Sequence, residues 1–247
     1  MGNTPDVFSD LNLEPQPDEV INLDHIVIIG RTFREYSTIF NLDEKKPPRG
    51  KVLNAAGGVS SFTVEACERG WNVLSADPVY CFEAAEIEGK CAKDMEYTLV
   101  NAEKTMSHMF NWGRPFSNLD EVRAARTKAY TLFLKDFANN RWRYIDAKFP
   151  YTPFIKTDNF EMSLVSYLLF FYDKYIDYET HAKILKELLR VTTGEVRIYP
   201  ITNMIFKESP FVGRVMNDPA FSGVSFQTRK TEYEFIKGSN KMLVMRK

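Results

Sequence analysis

Two tandem glycines, Gly57 and Gly58, follow a β-type run from Lys51 to Ala56. They precede a helical pattern from about Ser60 to Arg69 that Gly70 ends, and a second β-type run, Trp71 to Ala76, closes on Asp77-Pro78. Small residues at a strand-to-helix turn let main-chain N–H groups come close to a ligand, and a carboxylate ending the next strand can accept from two hydroxyls. Asp77 stands twenty positions after Gly57, a spacing that suits a nucleoside-bearing ligand. The plain alternatives are a tight turn with no ligand and a turn cap at Asp77 ahead of Pro78. Ser60 and Ser61 either cap the helix or reach the ligand, and Tyr80 either stacks on the ligand or is a half-buried aromatic.

A second group of candidates lies further from the turn. Tyr167 ends an apolar run that starts at Phe160, where a parallel sheet presents reactive groups. A phenol with an ordinary pKa of about 10 is a poor base at neutral pH, so a substrate-facing role suits it better than proton abstraction. Arg31 and Tyr36 sit in an opening helix segment and could close over a ligand; a surface Arg and a core Tyr are the simpler reading. His181, in a later helix, reads as an exposed helix residue.

The elements that must position these groups alternate strand and helix. Ile26 to Ile29 is a short β-type run, and Thr32-Phe33-Arg34-Glu35 has the form of a capping box that starts a helix through Phe40. The two β-type runs around Gly57-Gly58 make a βαβ unit of a parallel sheet. Residues 82–140 break the rhythm with mostly helical pattern, clearest from Leu119 to Phe137, where Leu119, Val122, Ala129, Phe133 and Phe137 share a face. The sheet resumes near Tyr144-Ile145. Phe160 to Tyr167 is a buried strand, Glu179 to Val191 a helix, and Glu195 to Ile201 a strand. Thr231 to Ile236 and Lys241 to Met245 read as an antiparallel hairpin joined by Lys237-Gly238-Ser239-Asn240. Residues 1–22 read as a flexible acidic, proline-containing arm, and 23–247 as a single domain with a helical insertion at about 98–142.

Composition excludes several classes. With 247 residues the chain can bury a full core, and a net charge of −1 gives no general attraction to nucleic acid or anionic membrane. The basic stretch Arg123, Arg126, Lys128, Lys135, Arg141 and Arg143 reads as a solvated helix face. Three cysteines without a CxxC pair point to a reducing, cytoplasmic setting, and three scattered histidines to no metal site. The longest apolar run, Leu164 to Tyr172, is too short to cross a bilayer, and the start has no signal-peptide pattern.

Taken together, four segments resemble the class I S-adenosylmethionine-dependent methyltransferases over roughly residues 24–247. VLNAAGGVSSFTVEACERGWNVLSADPVY resembles the first motif, its helix and the second strand. TPFIKTDNFEMSLVSYLLFFY resembles the region of the fourth strand, and LKELLRVTTGEVRIYPI the following helix and fifth strand. GRTFREYSTIFNL is similar to a segment preceding the core in a bacterial subgroup of unassigned methyltransferases. The resemblance implies an α/β, Rossmann-like fold whose mostly parallel sheet ends in an antiparallel hairpin. It implies S-adenosylmethionine as cofactor, held by Asn54, Ala56, Gly57, Gly58, Ser60, Asp77, Pro78 and Tyr80, with Tyr167 and Tyr36 facing the substrate. The family's first motif runs acidic-x-Gly-x-Gly-x-Gly; this chain has Asn54, Ala56 and Ser60 where the acid and the outer glycines would stand.

The leading expectation is therefore a methyltransferase acting on a small molecule, with aromatics such as Phe33, Tyr36, Phe110, Trp112 and Phe116 roofing the site. A methyltransferase fold that binds a ligand or partner without catalysis is the alternative that the altered motif favours. A nicotinamide-dependent oxidoreductase is a third reading, opposed by the missing third glycine and the terminal hairpin.

Overall fold

A computed structural model describes residues 26–247; the arm expected over residues 1–22 lies outside them. The core is one seven-stranded sheet with the order β3-β2-β1-β4-β5-β7-β6. Its strands are β1 (Val52–Ala55), β2 (Val73–Ala76), β3 (Tyr144–Ile145), β4 (Phe160–Ser166), β5 (Thr192–Tyr199), β6 (Ser225–Lys230) and β7 (Lys241–Arg246). The pairs β1–β2, β1–β4, β2–β3 and β4–β5 are parallel. The last inserted strand, β7, runs antiparallel to both β5 and β6. All four residues of β1 are buried, as befits a central strand covered on both faces.

Among the described residues six helices flank the sheet: α1 (Phe33–Phe40), α2 (Phe62–Glu68), α3 (Ala84–Met106), α4 (Leu119–Asn139), α5 (Tyr178–Val191) and α6 (Pro210–Asn217). The expected capping box forms at α1, with the Glu35 N–H donating to Thr32 Oγ1 and the Thr32 N–H donating to Glu35 Oε2 at 3.0 Å. The helical excursion between β2 and β3 consists of α3 and α4 and begins earlier than position 98. None of the helices among the described residues is long and apolar enough to cross a membrane.

Three readings of the sequence change. Ile26–Ile29 joins no ladder; the Ile28 N–H donates instead to the buried carboxylate of Asp94 at 2.8 Å. The partner of β7 is the polar segment Ser225–Lys230, not Thr231–Ile236. An edge strand exposed along most of its length needs little apolar pattern, so its composition hides it. Residues 231–236 are a connection whose Tyr233, Phe235 and Ile236 are buried. Finally, the basic stretch is not uniformly a solvated face. Lys128 and Lys135 are exposed, but Arg126 is buried and Arg143 pairs with the buried Asp136 at 2.7 Å.

The loop after β1 is built against a polar network. Tyr36 Oη donates to Asn54 Oδ1 (3.0 Å), Asn54 Nδ2 donates to Ser75 Oγ (3.2 Å), and Ser75 Oγ lies 2.8 Å from Tyr80 Oη. Tyr80 Oη in turn donates to the Gly58 carbonyl at 2.7 Å. A Cβ on Gly57 would lie 2.0 Å from Ser75 Oγ and 2.6 Å from Asn54 Nδ2. Gly57→Ala is therefore expected to force this network apart and destabilise the protein by about 1–3 kcal/mol, read from urea unfolding midpoints. A midpoint unchanged from the parent would show that the loop can move away freely.

Candidate functional site

The loop between β1 and α2 turns sharply because two of its residues are left-handed, Ala56 at φ 52° and Gly58 at φ 49°. Glycine takes this conformation freely, whereas alanine does so at a cost of about 1–2 kcal/mol. The turn brings Gly58 to the end of β2, where its N–H donates to Asp77 Oδ2 at 2.9 Å. Asp77 Oδ1 accepts from the Val79 N–H at 2.9 Å. Each carboxylate oxygen thus holds one main-chain donor and keeps further acceptor capacity. Burial, with a smaller contribution from nearby Asp146, raises the Asp77 pKa to about 6.

A cavity of about 500 Å³ opens over this edge. Ala56, Gly57, Gly58, Ser60, Asp77 and Pro78 all line it. Asn54 and Tyr80 do not. Asn54 is fully buried beneath the loop, with its amide engaged by Tyr36 and Ser75. An ionised side chain sealed there would be costly, which gives a physical reason for a neutral amide where the related motif has an acid. Tyr80 is likewise fully buried and packs against Phe133, Phe137 and Tyr144, so its ring supports the loop from behind. Ser60 Oγ, one residue before the N-cap Ser61, accepts from the Phe62 N–H at 3.1 Å and donates to the Arg31 carbonyl at 2.7 Å.

The cavity continues past the turn into an aromatic chamber. Tyr36 and Tyr167 both line it. Tyr36 is fixed by stacking on Phe62 at 4.4 Å, and burial pushes its phenol above the ordinary range. Tyr167 follows the last residue of β4 with φ 53°, its N–H held by the Tyr199 carbonyl at 2.7 Å. A left-handed aromatic residue is uncommon and marks a turn that its surroundings enforce. Arg31 also lines the cavity, with its guanidinium 3.6 Å above the Tyr167 ring. His181 is not an exposed helix residue: it is fully buried, accepting at Nε2 from the Phe170 N–H at 3.0 Å. Burial pushes its pKa down.

The roof differs in part from the aromatics expected. Tyr36 and Phe110 line the chamber, whereas Phe33 packs in the core against Phe62 and Trp71. Phe116 and Trp112 stand behind the lining, edge-on to Phe235. The sequence reading missed Phe235 and Ile236 from the β6–β7 connection, Phe171 after β4, and Met95 and Leu99 from α3. Their signal was present as apolar runs, but the 231–236 run was absorbed by the strand reading. Phe110 stacks on Phe235 at 4.6 Å, and the Asn111 and Lys237 N–H groups donate to the Phe235 and Met109 carbonyls at 2.8 and 2.9 Å. These bonds join the terminal connection to the segment between α3 and α4.

A buried ion pair holds the roof to α1. Arg126 from α4 reaches both oxygens of Glu35 at 2.7 Å, and each side chain is 5% exposed. Tyr233 Oη donates to the same carboxylate at 3.1 Å. Burial alone would raise the Glu35 pKa, but the Arg126 charge and its hydrogen bonds outweigh it and hold the carboxyl below its ordinary value.

The strand order, with an antiparallel β7 between β5 and β6, is that of the class I S-adenosylmethionine-dependent methyltransferase fold. The chain is 37% identical over 227 residues to an uncharacterized protein of Methanocaldococcus jannaschii, covering 92% of this chain and 99% of that one, and it belongs to the same family. That relative is archaeal and gives no support to the bacterial subgroup suggested by the opening helix. No protein-family profile matches the chain. Solved structures similar to it include a TehB-like SAM-dependent methyltransferase from Corynebacterium glutamicum, with a TM-score of 0.44, 12% identity and coverage of 87% and 86% of the two chains. A precorrin-6y C5,15-methyltransferase from Geobacter metallireducens gives 0.38, 8%, 86% and 84%. A tRNA (m1A58) methyltransferase from Aquifex aeolicus gives 0.36, 10%, 86% and 67%. At these scores the likenesses carry no weight for function.

Proposed function

We propose that the protein is an S-adenosylmethionine-dependent methyltransferase acting on a small molecule in the aromatic chamber. One observation carries this reading: a single cavity runs from the Gly57-Gly58 turn and Asp77 to Tyr36 and Tyr167. The residues present fit the cofactor. Asp77 can accept both ribose hydroxyls, and the close-packed Ala56-Gly57-Gly58 turn, with Ser60 and Pro78 beside it, leaves main chain at the cavity wall. When bound, the cofactor supplies a methyl group already activated on sulfur. This chain's part is then to align an acceptor and to exclude water. Phe110, Phe235 and the Arg126–Glu35 latch do the excluding, and Tyr36 and Tyr167 orient the acceptor. A cavity of about 500 Å³ lies within the usual range of small-ligand sites and suits a small acceptor rather than a folded one. The non-catalytic alternative loses one support, since Asn54 is sealed below the loop and its lack of charge does not alter the cavity wall. We place the protein in the cytoplasm, in keeping with its free thiols at Cys67, Cys81 and Cys91.

Calorimetry of the full chain tests the reading. S-adenosylmethionine and S-adenosylhomocysteine should each bind at one site per chain, with no saturable heat from NADH. Binding of NADH alone would replace the methyltransferase reading with the oxidoreductase one.

A further inference from the structure

The proposed methyltransferase site contains one cation that makes no salt bridge among the described residues. Arg126 is bound to Glu35, and Lys148, the remaining basic residue at the cavity, is exposed. Arg31 reaches the Glu35 carboxylate only through space, since that group is already bound to Arg126, and its Nε is buried without a hydrogen-bond partner. The face of the guanidinium stacks on Tyr167, and a face-on stack leaves a guanidinium's edge for a ligand. A buried donor left unsatisfied is costly, more so when charged, so its placement over the cavity calls for an acceptor atom from a ligand.

Among the described residues, no histidine, cysteine or glutamate lines the cavity. Of its two carboxylates, Asp77 is bound to Gly58 and Val79, and Asp177 caps α5 through the Thr180 N–H at 2.7 Å. Tyr36 donates its proton to Asn54. An amine, phenol or alcohol acceptor would have to lose a proton during transfer, and the described lining offers only phenols, a lysine and these two engaged carboxylates to take it. An acceptor that is already an anion needs no such group.

We infer that the acceptor is a small organic carboxylate with an apolar body, its carboxylate held by Arg31 above Tyr167 and its body in the chamber walled by Leu99, Phe110, Phe171 and Phe235. A guanidinium fork matches a carboxylate in two parallel hydrogen bonds. In the transfer, a carboxylate oxygen forms a bond to the methyl carbon as the carbon–sulfur bond breaks, and that electron pair stays on sulfur. The products are a methyl ester and a neutral thioether, and no proton moves. The ester no longer carries the charge that Arg31 holds, which favours its release.

The test rests on the methyltransferase reading but is separable from it. The full chain saturated with S-adenosylhomocysteine is titrated with benzoate, trans-cinnamate, 4-phenylbutyrate and octanoate, and with the primary amide of each. At least one acid should bind ten or more times tighter than its amide. Arg31→Ala should abolish that preference, and Arg31→Lys should keep only part of it, while S-adenosylhomocysteine affinity changes less than threefold in both. With labelled methyl donor, the preferred acid should yield label that base releases as volatile methanol. If no acid outcompetes its amide, the inference fails although the methyltransferase reading stands. If Arg31→Ala instead lowers S-adenosylhomocysteine affinity tenfold or more and leaves acid binding intact, Arg31 serves the cofactor and the inference also fails. If S-adenosylhomocysteine itself does not bind the parent protein, the methyltransferase reading fails first.

Discussion

Arg126→Met is expected to destabilise the protein by about 3–5 kcal/mol at pH 7.5, read from urea unfolding with equal m-values. The replacement keeps most of the apolar stem but leaves the Glu35 carboxylate buried with only Thr32 and Tyr233 as donors. The pH dependence follows from the same groups. In the parent, the net depression of the Glu35 pKa gives stability that is present above its unfolded value and lost as pH falls through the folded one. In the variant, burial remains and the largest countering charge is gone, with only Arg31 and the Thr32 N–H left to oppose it, so the Glu35 pKa rises from its parent value. The stability that the ionised carboxylate contributes at neutral pH is then smaller than in the parent. The gap between parent and variant should therefore narrow at pH 5. Adding Glu35→Gln to Arg126→Met should recover at least half of the loss, because the amide can still close the capping box without a buried charge. A single-variant cost below about 1 kcal/mol at pH 7.5 would show that the pair does not fasten the roof.

This ion pair also shows where sequence reading stops. The parallel core was legible because its signals are local. β1 and β2 are short apolar runs ended by Gly57 and Asp77, α1 begins at a capping box, and α5 carries an apolar face through Ile184, Leu185 and Leu188. The placement of Gly57, Gly58 and Asp77 followed from the same turns. What failed was whatever depends on a distant partner. Arg126 looked like one charge among six because nothing near it in sequence reveals Glu35, 91 positions away. Asn54 and Tyr80 stand beside the loop in sequence, yet their hydrogen bonds turn them to its back. The 231–236 run has the composition of a strand, but Tyr233, Phe235 and Ile236 are spent on the roof, and the edge strand is the polar run before it. His181 read as surface because its partner, the Phe170 N–H, exists only once β4 and α5 have packed.

Asp77 gives the sharpest test of the cofactor site. Asp77→Ala should weaken S-adenosylhomocysteine binding by about 2–4 kcal/mol, roughly 30- to 1,000-fold, since in the proposed site it removes two charge-assisted hydrogen bonds to the ribose. The substitution also strips the Gly58 and Val79 N–H groups of their acceptor, so part of the loss could come from a loosened turn. Asp77→Asn separates the two effects, because the amide oxygen keeps one main-chain donor and the shape of the side chain is preserved. The pH dependence then isolates the charge. In the free protein, burial raises the Asp77 pKa to about 6. Two hydroxyl donors favour the ionised form, so binding should pull this pKa down, and affinity must fall as the pH drops below about 6. The decline should approach tenfold per pH unit until the pKa of the bound state is reached. Both variants should lose this dependence while the parent keeps it. A parent affinity that is flat between pH 5 and 7, with Asp77→Asn binding as tightly, would mean that the ribose does not sit on Asp77 and that the cofactor enters the cavity in another orientation.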